Sequence, residues 1–346
     1  MPSPLLGHPG AIGETVPIHY GDPLGEQRRF AEGVSLVDAS HYELIKLAGP
    51  DRLVWLDSIS SNVFGGIAEG ETREGLILDP HGHVEHQFLL IDDGDESWLL
   101  VEPGQADALT HWLLSMRFRM QVEIENVSEA WAVIASTGAL PFATRRFIDP
   151  WPAVAPGGVA YSAEPHPAAD FLLHWNVIPR DDLAIEISEH WSGMDALNAY
   201  LLRAARPNMA DVDEKTLPHE LDWLRTAVHL NKGCYRGQET IAKVHNLGHP
   251  PRRAVLLHLD GSDTELPEPG SEVMSDGKAV GRVTRMARHY EWGPIAYAVV
   301  KRSLDPGVDV EVHGSSSVMT ASQEVLVVPD AGATRREAII QYRAGR

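Results

Sequence analysis

Cysteine occurs once in the 346 residues, as Cys234, so no intramolecular disulfide framework can form. A zinc finger or a self-contained four-thiolate cluster is excluded on the same count. Positive charge is also scarce. The chain has 29 Lys and Arg against 49 Asp and Glu, a formal net charge of −20. That balance argues against nucleic-acid binding, which needs clustered cations for phosphate contacts. No apolar run reaches the 18 residues expected of a membrane-spanning helix. The opening Met1-Pro-Ser-Pro-Leu-Leu-Gly7 has neither the basic nor the apolar region of a signal peptide. A Walker phosphate loop, a Gly-x-Gly-x-x-Gly fingerprint, a His-Glu-x-x-His pair and a Gly-x-Ser-x-Gly elbow are all missing. These absences predict a cytoplasmic protein that meets neither nucleic acid nor membrane.

What is present reads as an α+β protein. Hydrophobic residues make up 43% and charged residues 23%, ordinary for a globular chain long enough for two or three domains. Residues 1–30 read as an extended lead-in. Strands are expected at 34–38, 43–47, 75–78, 84–91, 96–101, 122–125 and 131–135, with Asp79-Pro-His-Gly82 as a hairpin turn. Helices are expected after Gly49-Pro-Asp51 and from Pro103-Gly104 through Met116, where Ala106, Leu109, Leu113 and Met116 keep the 3.6 period. Residues 138–170 are dense in Pro and Gly and read as loops. Ser192-Gly-Met-Asp195 fits a capping box for a helix that ends at Arg206-Pro207, and a second helix is expected over Pro218–Thr226. After Pro250-Pro251, short β-like runs at 254–259, 279–286, 294–300, 308–312 and 317–328 predict a small barrel or sandwich over 251–330. The segment 331–346 is a basic tail.

The most informative segment is Lys232-Gly-Cys-Tyr-Arg-Gly-Gln-Glu-Thr-Ile-Ala-Lys243. It sets Cys234 between Gly233 and Gly237 and among Lys232, Arg236 and Lys243. Glycines let backbone approach a ligand closely, and cations near a thiol favour the reactive thiolate. From Arg225 to Arg253 six cations face one acid, Glu239, which in so acidic a chain predicts a cationic pocket for a small anion. The alternative is a solvated basic face. Pairing of Cys234 with His229 or His245 as nucleophile and base is a second chemistry for the thiol. His81, His83 and His86 come nearest to a metal box, but a polar hairpin tip accounts for them better.

Lys232-Gly-Cys-Tyr-Arg-Gly-Gln-Glu239 resembles the hallmark Lys-Gly-Cys-Tyr-x-Gly-Gln-Glu of the folate-binding YgfZ family, relatives of the glycine-cleavage T-protein (aminomethyltransferase). Gly33-Val-Ser-Leu-Val-Asp-Ala-Ser40 and Leu47-Ala-Gly-Pro-Asp51 are similar to the opening of the T-protein fold, and Val280-Gly-Arg-Val-Thr284 to its C-terminal barrel. The resemblance implies a ring of three subdomains, with two α+β subdomains in residues 1–250 around a central channel and a β-barrel in 251–330. It implies tetrahydrofolate as ligand, with Asp79, Lys232 and Arg236 as candidate contacts, and partners among iron–sulfur assembly proteins or their client enzymes. Cys234 is then the functional or catalytic thiol, with Tyr235, Gly233, Gly237 and Gln238 shaping its loop and Glu239 offsetting the cations. No metal site is expected within one chain; Cys234 would be a ligand shared with a partner or a second copy. The T-protein's acidic pair is reduced at Gly75-Leu-Ile-Leu-Asp-Pro80 to Asp79 alone, because proline carries no carboxylate. Folate-dependent aminomethyl or methyl transfer is therefore the alternative to an accessory role.

Overall fold

The structure is a computed structural model that describes residues 2–184, 190–261, 266–315 and 318–334. In chain order the first half runs α1 (Pro23–Ala31), β1 (Leu36–Asp38), β2 (Glu43–Ala48), α2 (Arg52–Ile59), β3 (Thr72–Leu78), β4 (Val84–Asp92), β5 (Glu96–Val101), α3 (Ala106–Met116), β6 (Glu123–Asn126), β7 (Trp131–Ser136), β8 (Arg145–Ile148) and β9 (His174–Pro179). There follow β10 (Trp191–Ser192), α4 (Met194–Arg203) and α5 (Gln238–Leu247). The last part is all strand: β11 (Arg252–Leu259), β12 (Glu272–Ser275), β13 (Lys278–His289), β14 (Gly293–Lys301), β15 (Val310–His313) and β16 (Val318–Val325).

These strands make two five-stranded sheets, β3-β4-β5-β2-β6 and β10-β1-β7-β9-β8, and a closed barrel, β11-β14-β13-β12-β15-β16. The period of two explains how they join. In β4, Leu89 and Ile91 face one way and Phe88 and Leu90 the other; in β5, Trp98 and Leu100 oppose Leu99 and Val101. The second set packs under α2 and α3 with Trp55, Leu56 and Leu109. In the second sheet, Val133, Ala135, Trp175 and Val177 share the large core of the first set, while Ala132, Ile134 and Ile178 face outward to Leu5 and Leu183. The barrel repeats the device: Ala296, Ala298 and Val300 fill its interior, and Ile295, Tyr297 and Val299 turn out to the same large core. All three bodies therefore bury one face against a single centre. No helix among the described residues is long and apolar enough to cross a membrane.

Several expectations need correction. The lead-in holds a helix: Asp22 caps α1 by accepting from Gly25 N at 3.2 Å, Pro23 sits at its first position, and Glu26 accepts from Asp22 N at 3.1 Å. The loop stretch 138–170 contains β8, paired to β9. The capping box at Ser192 does not form. Gly193 is the cap residue of α4, and the Ser192 hydroxyl is instead 2.7 Å from that of Ser35 and bonds Glu26 O. The helix expected over Pro218–Thr226 is one 3₁₀ turn, Pro218–Leu221, stopped by Asp222 at φ 57°. Gln238, expected to shape the cysteine loop, opens a helix that runs to Leu247, α5. Most of the tail beyond 331 lies outside the described residues.

Candidate functional site

The structure brings the cysteine segment onto the β3–β4 hairpin. Gly237 caps α5 at φ 83°, and a Cβ there would stand 2.7 Å from Asp79 O and 2.8 Å from Gly82 Cα. Only glycine allows both the conformation and the approach. Gln238 Nε2 donates to Lys232 O at 3.2 Å and closes the loop, while Tyr235 buries its ring in the large core. Gly233 and Cys234 are left exposed at the crest, and Glu239 is exposed in the first turn of α5, where the helix N-terminus favours an anion. Thiol chemistry with solvent or a partner is thus sterically open.

The cations expected to form an anion pocket do not converge. Lys232 Nζ donates to the carbonyls of Asp57 at 2.5 Å, Ser60 at 2.7 Å and Asn62 at 2.7 Å, tying the loop to the C-terminal end of α2. Burial lowers its ammonium to about 8, against the pull of Asp57. Arg236 pairs with Glu85 at 2.7 Å, Arg225 with Asp222 at 2.9 Å, and Arg252 with Asp213 at 2.6 Å and Glu220 at 2.7 Å. Arg253 is buried and donates to Leu304 O at 3.1 Å. Asp79 is equally committed: its carboxylate accepts from His81 N and His83 N, each at 2.8 Å, and meets His83 Nδ1 at 2.9 Å. Burial opposes its charge, but those donors outweigh it and hold the carboxyl below its usual range. Asp79, Lys232 and Arg236 thus each have protein partners at the thiol loop, and none is in the lining of the central cleft. His86 turns to Gln105 at 3.4 Å, away from His81 and His83, and His245 meets Tyr161 OH at 2.8 Å while His229 Nδ1 accepts from Asn231 N. Neither of the last two rings meets Cys234 among the described hydrogen bonds.

A central cleft lies between the two sheets and the end of α4 and was not legible in the sequence. Tyr42, Gln87, Leu89, Leu100, Glu102, Asp149, Trp175, Leu201, Arg206, Pro207 and Asn208 line it. Its enclosed volume is about 30 Å³, room for one water. Tyr42 also stands in the wall of an outer basin of about 500 Å³, bordered by Ser40, His41, Pro103 and Arg180. On the opposite side Glu74 and Thr226 floor a second basin of about 270 Å³. Between the basins Arg206 pairs with Glu74 at 2.8 Å and Asp149 at 3.1 Å. Burial works against the Arg206 charge, but Asp149 and Glu74 overrule it and hold the guanidinium above its usual range. Glu74 is saturated by Gln87, Trp223, Thr226 and Arg206. Arg206, in the lining of the cleft, is thus joined by its ion pair to Glu74, in the lining of the second basin.

Residues 17–143 match the GCVT N-terminal domain, and residues 252–327 match the glycine cleavage T-protein C-terminal barrel domain. The aminomethyltransferase of Thermotoga petrophila is 24% identical over 94% of each chain, and that of a Thermus thermophilus strain is 25% identical over 87% of this chain and 89% of its own. The crystal structure of the glycine cleavage system aminomethyltransferase T from Bartonella henselae shares the fold, with a TM-score of 0.71 and 18% identity over 94% of each chain. With both domain families in order and relatives aligned along nearly the whole length, the chain belongs to the glycine-cleavage T-protein superfamily.

Proposed function

We propose that this protein binds tetrahydrofolate at its centre and uses Cys234 to support assembly or repair of iron–sulfur clusters, as a member of the YgfZ branch of the superfamily. The observation that carries this reading is the exposed thiol on a crest fixed from three sides, by Lys232 to α2, Arg236 to Glu85 and Gly237 to the hairpin turn. Such a thiol suits a soft metal ion or a partner's sulfur, and it falls three thiolates short of a cluster by itself. The full match to the Lys-Gly-Cys-Tyr-x-Gly-Gln-Glu hallmark supports the branch assignment. Tyr42 and Trp175, whose rings lie 4.7 Å apart, are the flat side chains of the cleft, and the outer basin of about 500 Å³ that Tyr42 also borders has the room a reduced folate needs. A buried indole donor, Trp175 Nε1, has no partner among the described residues.

A second reading, folate-dependent one-carbon transfer, is favoured by the relatives named aminomethyltransferase. It needs a cleft group able to move a proton; on β4 the cleft presents only the carboxamide of Gln87, but after β5 it presents the carboxyl of Glu102, which burial raises to about 7. Calorimetric titration with tetrahydrofolate under anaerobic conditions, on the wild type and on Cys234→Ala, tests the proposal. Equal affinities are expected, because the thiol does not line the cleft. Loss of binding in the variant would put ligand and thiol in one site and favour transfer chemistry; no binding to either protein would remove the folate.

A further inference from the structure

Away from the thiol loop and the central cleft, a hollow of about 200 Å³ opens between α1, α4 and the turn that joins β13 to β14. Ala196 and Ala199 on α4 are small enough to leave it. Two of its polar side chains are spent on holding the walls. Gln27 on α1 donates from Nε2 to Arg288 O and accepts from Tyr290 N at Oε1, both at 3.0 Å, which clamps the turn to the helix. The Tyr200 hydroxyl donates to Leu172 O and accepts from Leu172 N, both at 3.2 Å.

Three others in the lining are not spent. Arg203 has no hydrogen bond or ion pair among the described residues, in contrast to Arg225, Arg236 and Arg252; its guanidinium overlies the Trp292 ring at 5.2 Å. His289 is 3% exposed and uses Nδ1 to accept from Glu291 N and Trp292 N, each at 3.2 Å. Its proton therefore sits on Nε2, which meets no acceptor among the described residues. Burial, with Arg203 adding to it, lowers this imidazole against the pull of Glu291, so the ring is neutral at pH 7. Asp170, at the rim, has no hydrogen bond or ion pair among the described residues either, although it and Arg203 both act on the Tyr200 hydroxyl. Opposite charges that share one hollow without pairing are spaced for a molecule that carries both signs.

We propose that this hollow is a binding site for a free α-amino acid with an apolar side chain. Arg203 takes the carboxylate with its planar fork, His289 Nε2 donates to the same group, and Asp170 accepts from the ammonium. Ala196 and Ala199 give the side chain its space, and the rings of Tyr200 and Tyr290 flank it. A simple anion would use the two donors but be repelled by Asp170, and a simple amine would meet the charge of Arg203. The site is independent of the folate reading.

Calorimetric titration of the full chain with L-alanine, L-valine, L-leucine, L-methionine and L-phenylalanine tests it. At least one should bind with a dissociation constant of about 1 mM or tighter. Its analogues lacking the amino group or the carboxyl group should each bind about tenfold more weakly. Arg203→Leu should abolish binding. Asp170→Asn should weaken the amino acid about tenfold and leave the carboxylate-only analogue no weaker, a split that a loss of fold cannot produce. No binding by any of the five, equal binding of the carboxylate-only analogue, or wild-type affinity in either variant would overturn the site.

Discussion

Replacing Arg206 by methionine is expected to cost about 3–5 kcal/mol of stability, measured by urea unfolding at pH 7. The side chain is 6% exposed and its partner Glu74 is fully buried, so the substitution strands Glu74 and Asp149 without their counter-charge. Methionine keeps most of the length and the contact with Trp151, whose ring the guanidinium overlies at 5.3 Å. The loss is therefore electrostatic and not a cavity effect. Adding Glu74→Gln to Arg206→Met should recover part of the deficit for the same reason. A loss below about 1 kcal/mol would mean that water reaches the pairs and that they are not sealed as described.

Gly237→Val should destabilise the protein by at least about 1–3 kcal/mol from backbone conformation alone, since a β-branched residue resists positive φ. Its Cβ would also meet Asp79 O and Gly82 Cα, backbone atoms of a tight turn that yield less than a flexible side chain. Relief requires the cysteine loop to lift from the hairpin, so the variant should lose thiol function even where it stays folded. Gly237→Ala keeps the contact but not the branching and should fall between. A valine variant within about 0.5 kcal/mol of wild type would show that the loop is not docked where the turn requires glycine.

The parts of this protein legible in sequence are those encoded locally. The short β-like runs at 254–259 and 294–300 and the turns between predict the barrel; the lone cysteine between glycines marks its own loop. What the sequence hides has one cause, that a side chain's partner is not written beside it. Asp79 reads as a ligand carboxylate, yet its acceptors are used within the turn by His81 and His83. Arg252 reads as part of a basic patch, yet Asp213 and Glu220, more than thirty residues earlier, neutralise it. Lys232 looks like a charge for the thiol and serves as an anchor to α2. The cleft was invisible because Glu102, Trp175 and Arg206 come from three distant segments that only the packed sheets bring together. The helix α1 had a signal, Asp22-Pro23 with Glu26 following, that the Gly- and Pro-rich surroundings obscured.

The most direct test of the account is Cys234→Ala in a cell that depends on this copy, with the activity of cluster-dependent enzymes as the readout. Those activities should fall to the level of the deletion while the variant's abundance and melting temperature stay at wild-type values, because an exposed thiol contributes little to packing. Full activity from the alanine variant would contradict the account, leaving the crest a structural loop and the thiol without a role.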